Sequence, residues 1–249
     1  MGKKIAIFAA FKAGNELLKF IRYTSIPIDV IFTCNTDNSI YEPLIADSIK
    51  TIVYRRININ EEQIANILNK LQIDIAFLIW WPTIVNKNIL NSVKEGFINL
   101  HPSLLPYGKG KHGYYWSIVD NEPFGVSLHL VDKSIDGGPI IFQKTLQTTW
   151  EDTGETLYSK SWNACLDLFK ESFIKIINGD YKVLEKNKDG SSFHMSSDIE
   201  IHSQIDLDKK YIARDLINII RARTFHDGNS SYFIENGKKY LIRSEIKEC

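Results

Sequence analysis

Cysteine is scarce and scattered, with only Cys34, Cys165 and Cys249 in 249 residues. Such spacing supplies neither a disulfide framework nor a zinc-ligand set, so reduced thiols are expected, the first two as packing residues. No group of His, Cys, Asp or Glu has metal-ligand spacing, and no metal is expected. Charge of one sign is lacking too. The chain balances 30 Lys plus Arg against 30 Asp plus Glu, so the broad basic footprint of a general nucleic-acid binder is missing. Long apolar runs are absent as well. The N-terminal MGKKIAIFAAF offers only Ile5 to Phe11, too short to cross a bilayer or to form the core of a secretory signal. Ala6 stands where a myristoylation pattern needs Ser or Thr. The expected location is cytoplasmic, with no membrane and no nucleic-acid partner.

Nucleotide-binding signatures are missing from the places where they would act. The turn after the first apolar run is Phe11-Lys12-Ala13-Gly14, without the G-x-G-x-x-G of a dinucleotide site, and no G-x-x-x-x-G-K-[ST] occurs. A dinucleotide or P-loop enzyme is therefore not expected.

What is present is an alternation of strand and helix signals. Ile5 to Ala10 is a continuous apolar run suited to a strand buried on both faces, and Leu17, Leu18 and Ile21 then recur at helical spacing. Ile28 to Thr33, Ile52 to Tyr54 and Ile75 to Ile79 read as further strands, and Glu61 to Leu71 as a helix with Ile64, Ile67, Leu68 and Leu71 inward. This pattern predicts an α/β domain with a mainly parallel sheet flanked by helices, whose sites lie outside the carboxyl ends of the strands. Thr156 to Ile177 is the longest helical pattern, capped by Asp152 or Thr153 and ended at Asn178-Gly179. Lys186 to Ser203 reads as a polar loop. Asp208 to Arg223 reads as a helix, and Asn236-Gly237 between two aromatic-rich runs as a hairpin. The domain expectation is 1-180 for the main domain and 181-249 for a linker with a small C-terminal helix and hairpin.

The chemistry concentrates between Phe97 and Gln143. A short apolar strand delivers Asn99 and His101, proline and glycine then break regular structure, and Asp136 follows. An imidazole can move protons near neutral pH, a carboxylate can orient it, and a side-chain amide can donate to a developing oxyanion. Together they suit acyl transfer to an amine, with no covalent intermediate and no need for a Ser or Cys nucleophile. Taken singly, Asn-x-His is a turn with a satisfied histidine, and Asp before Gly-Gly is a turn residue. His129 reads as structural, and His194 and His202 as linker residues.

The runs N-L-H-P-S-L-L-P (Asn99 to Pro106), G-V-S-L-H-L-V-D (Gly125 to Asp132) and I-D-G-G-P-I-I (Ile135 to Ile141) resemble the core of the formyltransferases that use 10-formyltetrahydrofolate. The resemblance covers roughly residues 1 to 180 and implies a Rossmann-like formyltransferase sheet, with Asn99, His101 and Asp136 as the catalytic triplet. It further implies a folate pocket formed by Trp80, Trp81, Pro82, Thr83 and Ile84 with Val131, Asp132 and Ile135.

Within that family the loop Tyr107, Gly110, His112, Trp116 is similar to the Y-x-x-G-x-H-x-x-x-W of the sugar N-formyltransferases. The stretch Arg221-Ala222-Arg223-Thr224-Phe225 and the aromatic hairpin resemble the same group. The implied acceptor is a nucleotide-linked amino sugar, dTDP-4-amino-4,6-dideoxyglucose or a close relative. Lys109, Lys111, Arg221 and Arg223 could meet its phosphates, and Phe225 or Tyr232 its base, with Tyr107, Gly110 and His112 completing the acceptor set. The blander reading has the arginines capping a helix and the aromatics packing the hairpin. Gly113 and His226-Asp227 depart from the group pattern where proline is common. A homodimer through the hairpin is expected. Alternatives are a methionyl-tRNA or glycinamide ribonucleotide formyltransferase, or a catalytically silent α/β binding protein. The short C-terminal part and the zero net charge of the chain argue against tRNA, the presence of that part against a glycinamide ribonucleotide enzyme, and the start of the core at Lys4 against a deformylating hydrolase.

Overall fold

The N-terminal apolar run becomes β1 (Ile5–Ala9), buried at all five positions as a strand covered on both faces must be. It leads into α1 (Phe11–Tyr23), which turns Ala13, Leu17, Leu18 and Ile21 inward. The computed structural model describes residues 2–34, 52–55, 59–184 and 190–249. There follow β2 (Val30–Thr33), β3 (Ile52–Arg55), α2 (Glu61–Leu71), β4 (Ile75–Ile79), α3 (Lys87–Leu90) and β5 (Phe97–His101). Next come β6 (Lys109–Gly110), α4 (Gly113–Val119), β7 (Phe124–Leu130), β8 (Ile140–Leu146) and α5 (Gly154–Asn178). The chain ends with β9 (Phe193–His194), α6 (Asp198–His202), α7 (Ala213–Ala222) and the hairpin β10 (Ser231–Glu235) and β11 (Lys238–Ile242).

Seven strands form one sheet in the order β3-β2-β1-β4-β5-β7-β8. The pairs from β3 through β5 are parallel, as the α/β reading expects. The chain winds outward in one direction from β1 to β3 and returns on the other side at β4, so the topology switches between β1 and β4. Crevices at such switch points, beyond the carboxyl ends of the strands, are where ligands bind in this architecture.

Local chemistry explains most of the element boundaries. The side chain of Asn60 accepts from the Gln63 amide and the Gln63 side chain accepts in return from the Asn60 amide, a capping box that starts α2 where the periodicity predicts. Thr153 and Thr156 exchange the same pair of bonds at the head of α5, so Thr153 rather than Asp152 is the cap. The helix expected from Asp208 begins only at Ala213. Before it, Asp206 turns the chain by accepting from the Asp208 amide, the local bond that lets Asp compete with helix formation. Within the stretch expected as loop, β9 and α6 are regular structure; Lys186 to Asp189 lie outside the described residues.

The chain divides into two compact units. The first comprises Met1–His101, Leu128–Phe142 and Cys165–Glu185, and the second Pro102–Ser127, Gln143–Ala164 and Lys186–Cys249. In the first, Phe8, Phe32, Phe97, Ile64 and Leu68 pack on one side of the sheet. Phe169 stacks on Phe173, and Phe77 meets the first edge-on and the second at a tilt, a further cluster that ties α5 to β4. Cys165, fully buried, has its thiol pKa pushed well up by burial and is a packing residue. In the second, Tyr115, Trp116, Ile118, Phe124, Leu157, Ile199 and Ala222 form a core of their own. Among the described residues no helix is long and apolar enough to cross a membrane.

Candidate active site

Asn99 and His101 are two apart on β5, so the alternation of a strand puts them on the same face at its carboxyl end. The amide of Val131 donates to the carbonyl of Phe97 and that of Leu130 to Pro139, which brings the end of β7 and the loop after it beside β5. The loop then returns tightly. A Cβ on Gly138 would lie 1.8 Å from the Leu130 carbonyl oxygen, so only glycine allows the approach. Asp136 takes a left-handed conformation with φ of 47°, which Asp tolerates better than most residues.

These elements bring four polar side chains together in the first unit. Asn99 Nδ2 lies 3.4 Å from Asp136 Oδ1 and 3.1 Å from His129 Nε2. The same Asp136 oxygen is 3.7 Å from His101 Nδ1 and 3.6 Å from His129 Nε2. The last two distances are beyond a hydrogen bond but within electrostatic reach, and slack of this size is common in catalytic groups before substrate arrives. Both imidazoles are buried, His101 at 7% exposure and His129 at 2%. His129 is thus more than the packed strand residue read from the sequence. It touches Asn99, and the signal for it was the pairing of Ser127 and His129 as polar positions on a strand that neighbours β5.

The residues expected around the folate divide. Trp80 follows β4 with φ of 51°, a left-handed backbone that is strained for a bulky side chain, and such outliers gather at functional sites. Pro82, Thr83 and Ile84 follow on the surface, and Ile84 and Ile135 are both exposed apolar side chains. Trp81 instead packs edge-on against Phe8, and Val131 joins the same core cluster. Asp132 accepts from the amide and hydroxyl of Ser134, holding the loop in a turn. Among the described residues no group of three or more His, Cys, Asp or Glu could hold a metal.

The acceptor residues expected from the sequence lie in the second unit, where the structure gathers some and commits others elsewhere. His112 Nδ1 is 3.1 Å from the Tyr114 hydroxyl, and the Tyr114 ring meets Phe225 and Tyr158 edge-on, each at 5.6 Å. Burial, then the positive charge of Arg223, push the His112 pKa down. Arg223 is buried and pairs with Glu200, while its Nε has no hydrogen-bond partner among the described residues. Lys111 is exposed and Lys109 reaches Ser191. Arg221 is turned inward: it donates to the carbonyls of Thr149 and Asp152 and to Asn218, and lies 4.9 Å from the Trp150 ring. Tyr232 sits on the hairpin, bonded to Gln204 and covered by the Lys239 ammonium. In Arg221, Nε and Nη1 are taken up by Asn218 and by those carbonyls. The sequence reading missed Tyr114, Tyr158 and the two linker histidines. His194 stacks on Trp116 at 3.7 Å with the rings 5° apart, and His202 Nδ1 is 2.8 Å from the Tyr115 hydroxyl.

Residues 3–169 match the family model described as formyl transferase, and the chain belongs to that family. Residues 198–248 match a second model, the dimerization C-terminal domain of N-formyltransferases. The dTDP-4-amino-4,6-dideoxyglucose formyltransferase of Mycobacterium bovis is 28% identical over 147 residues, which cover 59% of this chain and 62% of that protein. This chain therefore spans less than two thirds of that relative's length. The methionyl-tRNA formyltransferase of Thermodesulfovibrio yellowstonii is 28% identical over 182 residues, covering 73% of this chain and 58% of that one. Among solved structures, a 4-N formyltransferase from Francisella tularensis superposes with a TM-score of 0.80 at 25% identity, covering 99% of both chains. An N-formyltransferase from Helicobacter canadensis, in complex with folinic acid and dTDP-3-aminofucose, gives a TM-score of 0.74 at 25% identity over 95% of this chain and 86% of that one.

Proposed function

We propose that the protein transfers a formyl group from 10-formyltetrahydrofolate to the amine of a nucleotide-linked amino sugar, dTDP-4-amino-4,6-dideoxyglucose or a close relative. The observation that carries this reading is the convergence of Asn99, His101 and Asp136 at the end of β5, with Asp136 Oδ1 within 3.4 Å of the amide and 3.7 Å of the imidazole. Asn99 donates to the charge that develops on the formyl oxygen. His101 carries the proton from the attacking amine toward the leaving nitrogen, and Asp136 stabilises the imidazolium that forms.

The folate supplies the formyl carbonyl, and the surface beside the triplet suits it. Ile84 and Ile135 offer exposed apolar area to a flat ring, and Trp80 holds a left-handed backbone at the start of the same loop as Ile84. Val131, Asp132, Pro82 and Thr83 shape the two loops, and Trp81 supports them from the core. The Helicobacter relative was solved with a folate analogue and a dTDP-sugar, which supports both halves of the reading.

On the acceptor side, Lys109, Lys111 and Arg223 supply positive charge for a diphosphate, and Tyr107, His112 and Phe225 an aromatic and polar surface for the nucleotide. The C-terminal match to a dimerization domain supports a homodimer. Ile234, Tyr240 and Leu241 on the hairpin are exposed apolar groups that a second copy would cover.

The test incubates the protein with 10-formyltetrahydrofolate and a panel of dTDP- and UDP-linked amino sugars, methionyl-tRNA and glycinamide ribonucleotide, with mass spectrometry for the added formyl group. A nucleotide sugar should be modified. Modification of tRNA or glycinamide ribonucleotide alone would replace this reading of the acceptor, and no modification of any substrate would remove the enzyme.

A further inference from the structure

The segment that follows the undescribed stretch, Gly190 to His194, runs alongside Pro106 to Lys111. β9 pairs parallel with β6, Phe193 opposite Lys109 and His194 opposite Gly110. The amides of Lys109 and Lys111 donate to the carbonyls of Ser192 and His194, both at 3.1 Å. Two glycines make the approach possible. A Cβ on Gly110 would stand 2.2 Å from the His194 carbonyl oxygen, and one on Gly190 would stand 2.8 Å from the Tyr107 ring.

Ser192 is the centre of this contact. Its hydroxyl donates to Glu122 Oε2 at 2.7 Å and accepts from the Gly108 amide at 2.7 Å. The serine thereby transmits the pull of a half-buried carboxylate to the backbone of the loop. Anchors stand on either side. Lys109 Nζ donates to Ser191 Oγ at 2.7 Å, and His194 lies flat on Trp116 with Nε2 3.2 Å from Asp120 Oδ2. Glu122 and Asp120 belong to the short connection between α4 and β7, so the fixed end of the relay is the core of the second unit.

We infer that Ser192, held by Glu122, is a positioning residue for the acceptor, setting the Tyr107–Lys111 loop through the Gly108 amide. This inference rests on the proposed sugar-nucleotide reading of that loop. The loop contains Tyr107, Lys109, Gly110 and Lys111, and its glycines Gly108 and Gly110 carry no side chain of their own to hold it. Removing the hydroxyl deletes both of its bonds at once, while Asn99, His101 and Asp136 belong to the other unit. The loss should therefore appear in acceptor recognition and spare the formyl donor.

The experiment compares the full-length wild type with Ser192→Ala and Ser192→Thr. Steady-state kinetics are read separately for donor and acceptor, and amide hydrogen exchange is read over residues 107–111. Ser192→Ala should raise the acceptor KM about tenfold, the scale of one lost hydrogen bond, with kcat and the donor KM within about twofold of wild type. Gly108 should exchange faster, and Ser192→Thr, which keeps the hydroxyl, should restore both readouts. An unchanged acceptor KM, or an equal rise in the donor KM, would overturn the inference. If the wild type formylates no nucleotide sugar, the functional reading falls separately. Exchange then decides whether the loop is held, and equal Gly108 protection in wild type and Ser192→Ala overturns that too.

Discussion

Asn99 and His129 meet across 3.1 Å, and the contact ties the amide to the imidazole. The carbonyl of Leu130 can only accept, so Nδ1 of His129, 3.0 Å away, carries the hydrogen. In that tautomer Nε2 accepts from the nitrogen end of the Asn99 amide. Replacing His129 with Ala should release the amide and lower kcat about tenfold with little change in either KM, the scale of one positioning hydrogen bond. Steady-state kinetics check this, and a variant with unchanged kcat would make His129 a packing residue.

His101→Asn removes the only group of the proposed triplet that can shuttle a proton. Its kcat should fall by about 10²- to 10⁴-fold, the usual span for general acid-base catalysis, with nucleotide-sugar binding nearly intact. Single-turnover rates together with calorimetric binding of dTDP separate the two effects. A rise in Kd matching the loss of rate would assign His101 to binding.

Gly138→Ala should damage the site without touching any of its side chains. The new Cβ would overlap the Leu130 carbonyl at the point where the loop bearing Asp136 returns to β7. Relief requires backbone movement, costing on the order of 3 kcal/mol. Urea unfolding would register that loss, and a variant as stable as wild type with full activity would contradict the geometry.

Acid should loosen the second unit through His202. Its pKa is lowered mainly by burial, so the folded state resists a proton that the unfolded chain accepts. The stabilising contribution is therefore complete above the unfolded value of 6.5 and declines as pH falls from there toward the depressed folded value. Protonation would also cost Nδ1 its role as acceptor for the Tyr115 hydroxyl. Thermal unfolding at about pH 7.5 and about pH 5.5 should show a drop that His202→Gln reduces, since the glutamine oxygen can accept the same bond. An identical drop in the variant would place the titration elsewhere, with His112, lowered by burial in the same unit, the next residue to examine.

Much of the fold was legible because its signals are local. The apolar strands, the helix Glu61 to Leu71 and the Asn236-Gly237 turn each have signals that act within a few residues, and the structure has them where those signals put them. Asn99, His101 and Asp136 could be named because their flanking runs are distinctive. His129, His194 and His202 could not be weighed in the same way. Their roles depend on partners 30, 78 and 87 positions away, namely Asn99, Trp116 and Tyr115, and no local pattern ties a histidine to such neighbours. Arg221 misled for a related reason. A basic residue beside an aromatic reads as a ligand contact until the carbonyls of Thr149 and Asp152 are seen to occupy it.

The polypeptide passes from one compact unit to the other five times, after His101, Ser127, Phe142, Ala164 and Glu185. Neither unit is a continuous piece of gene. Recombination at one breakpoint cannot exchange the proposed acceptor-handling half for a relative's, because a graft would need three coordinated segments. During synthesis the first unit cannot close before Glu185 has emerged, so an early-terminated chain carries Asn99 and Asp136 without the last helix that completes their scaffold.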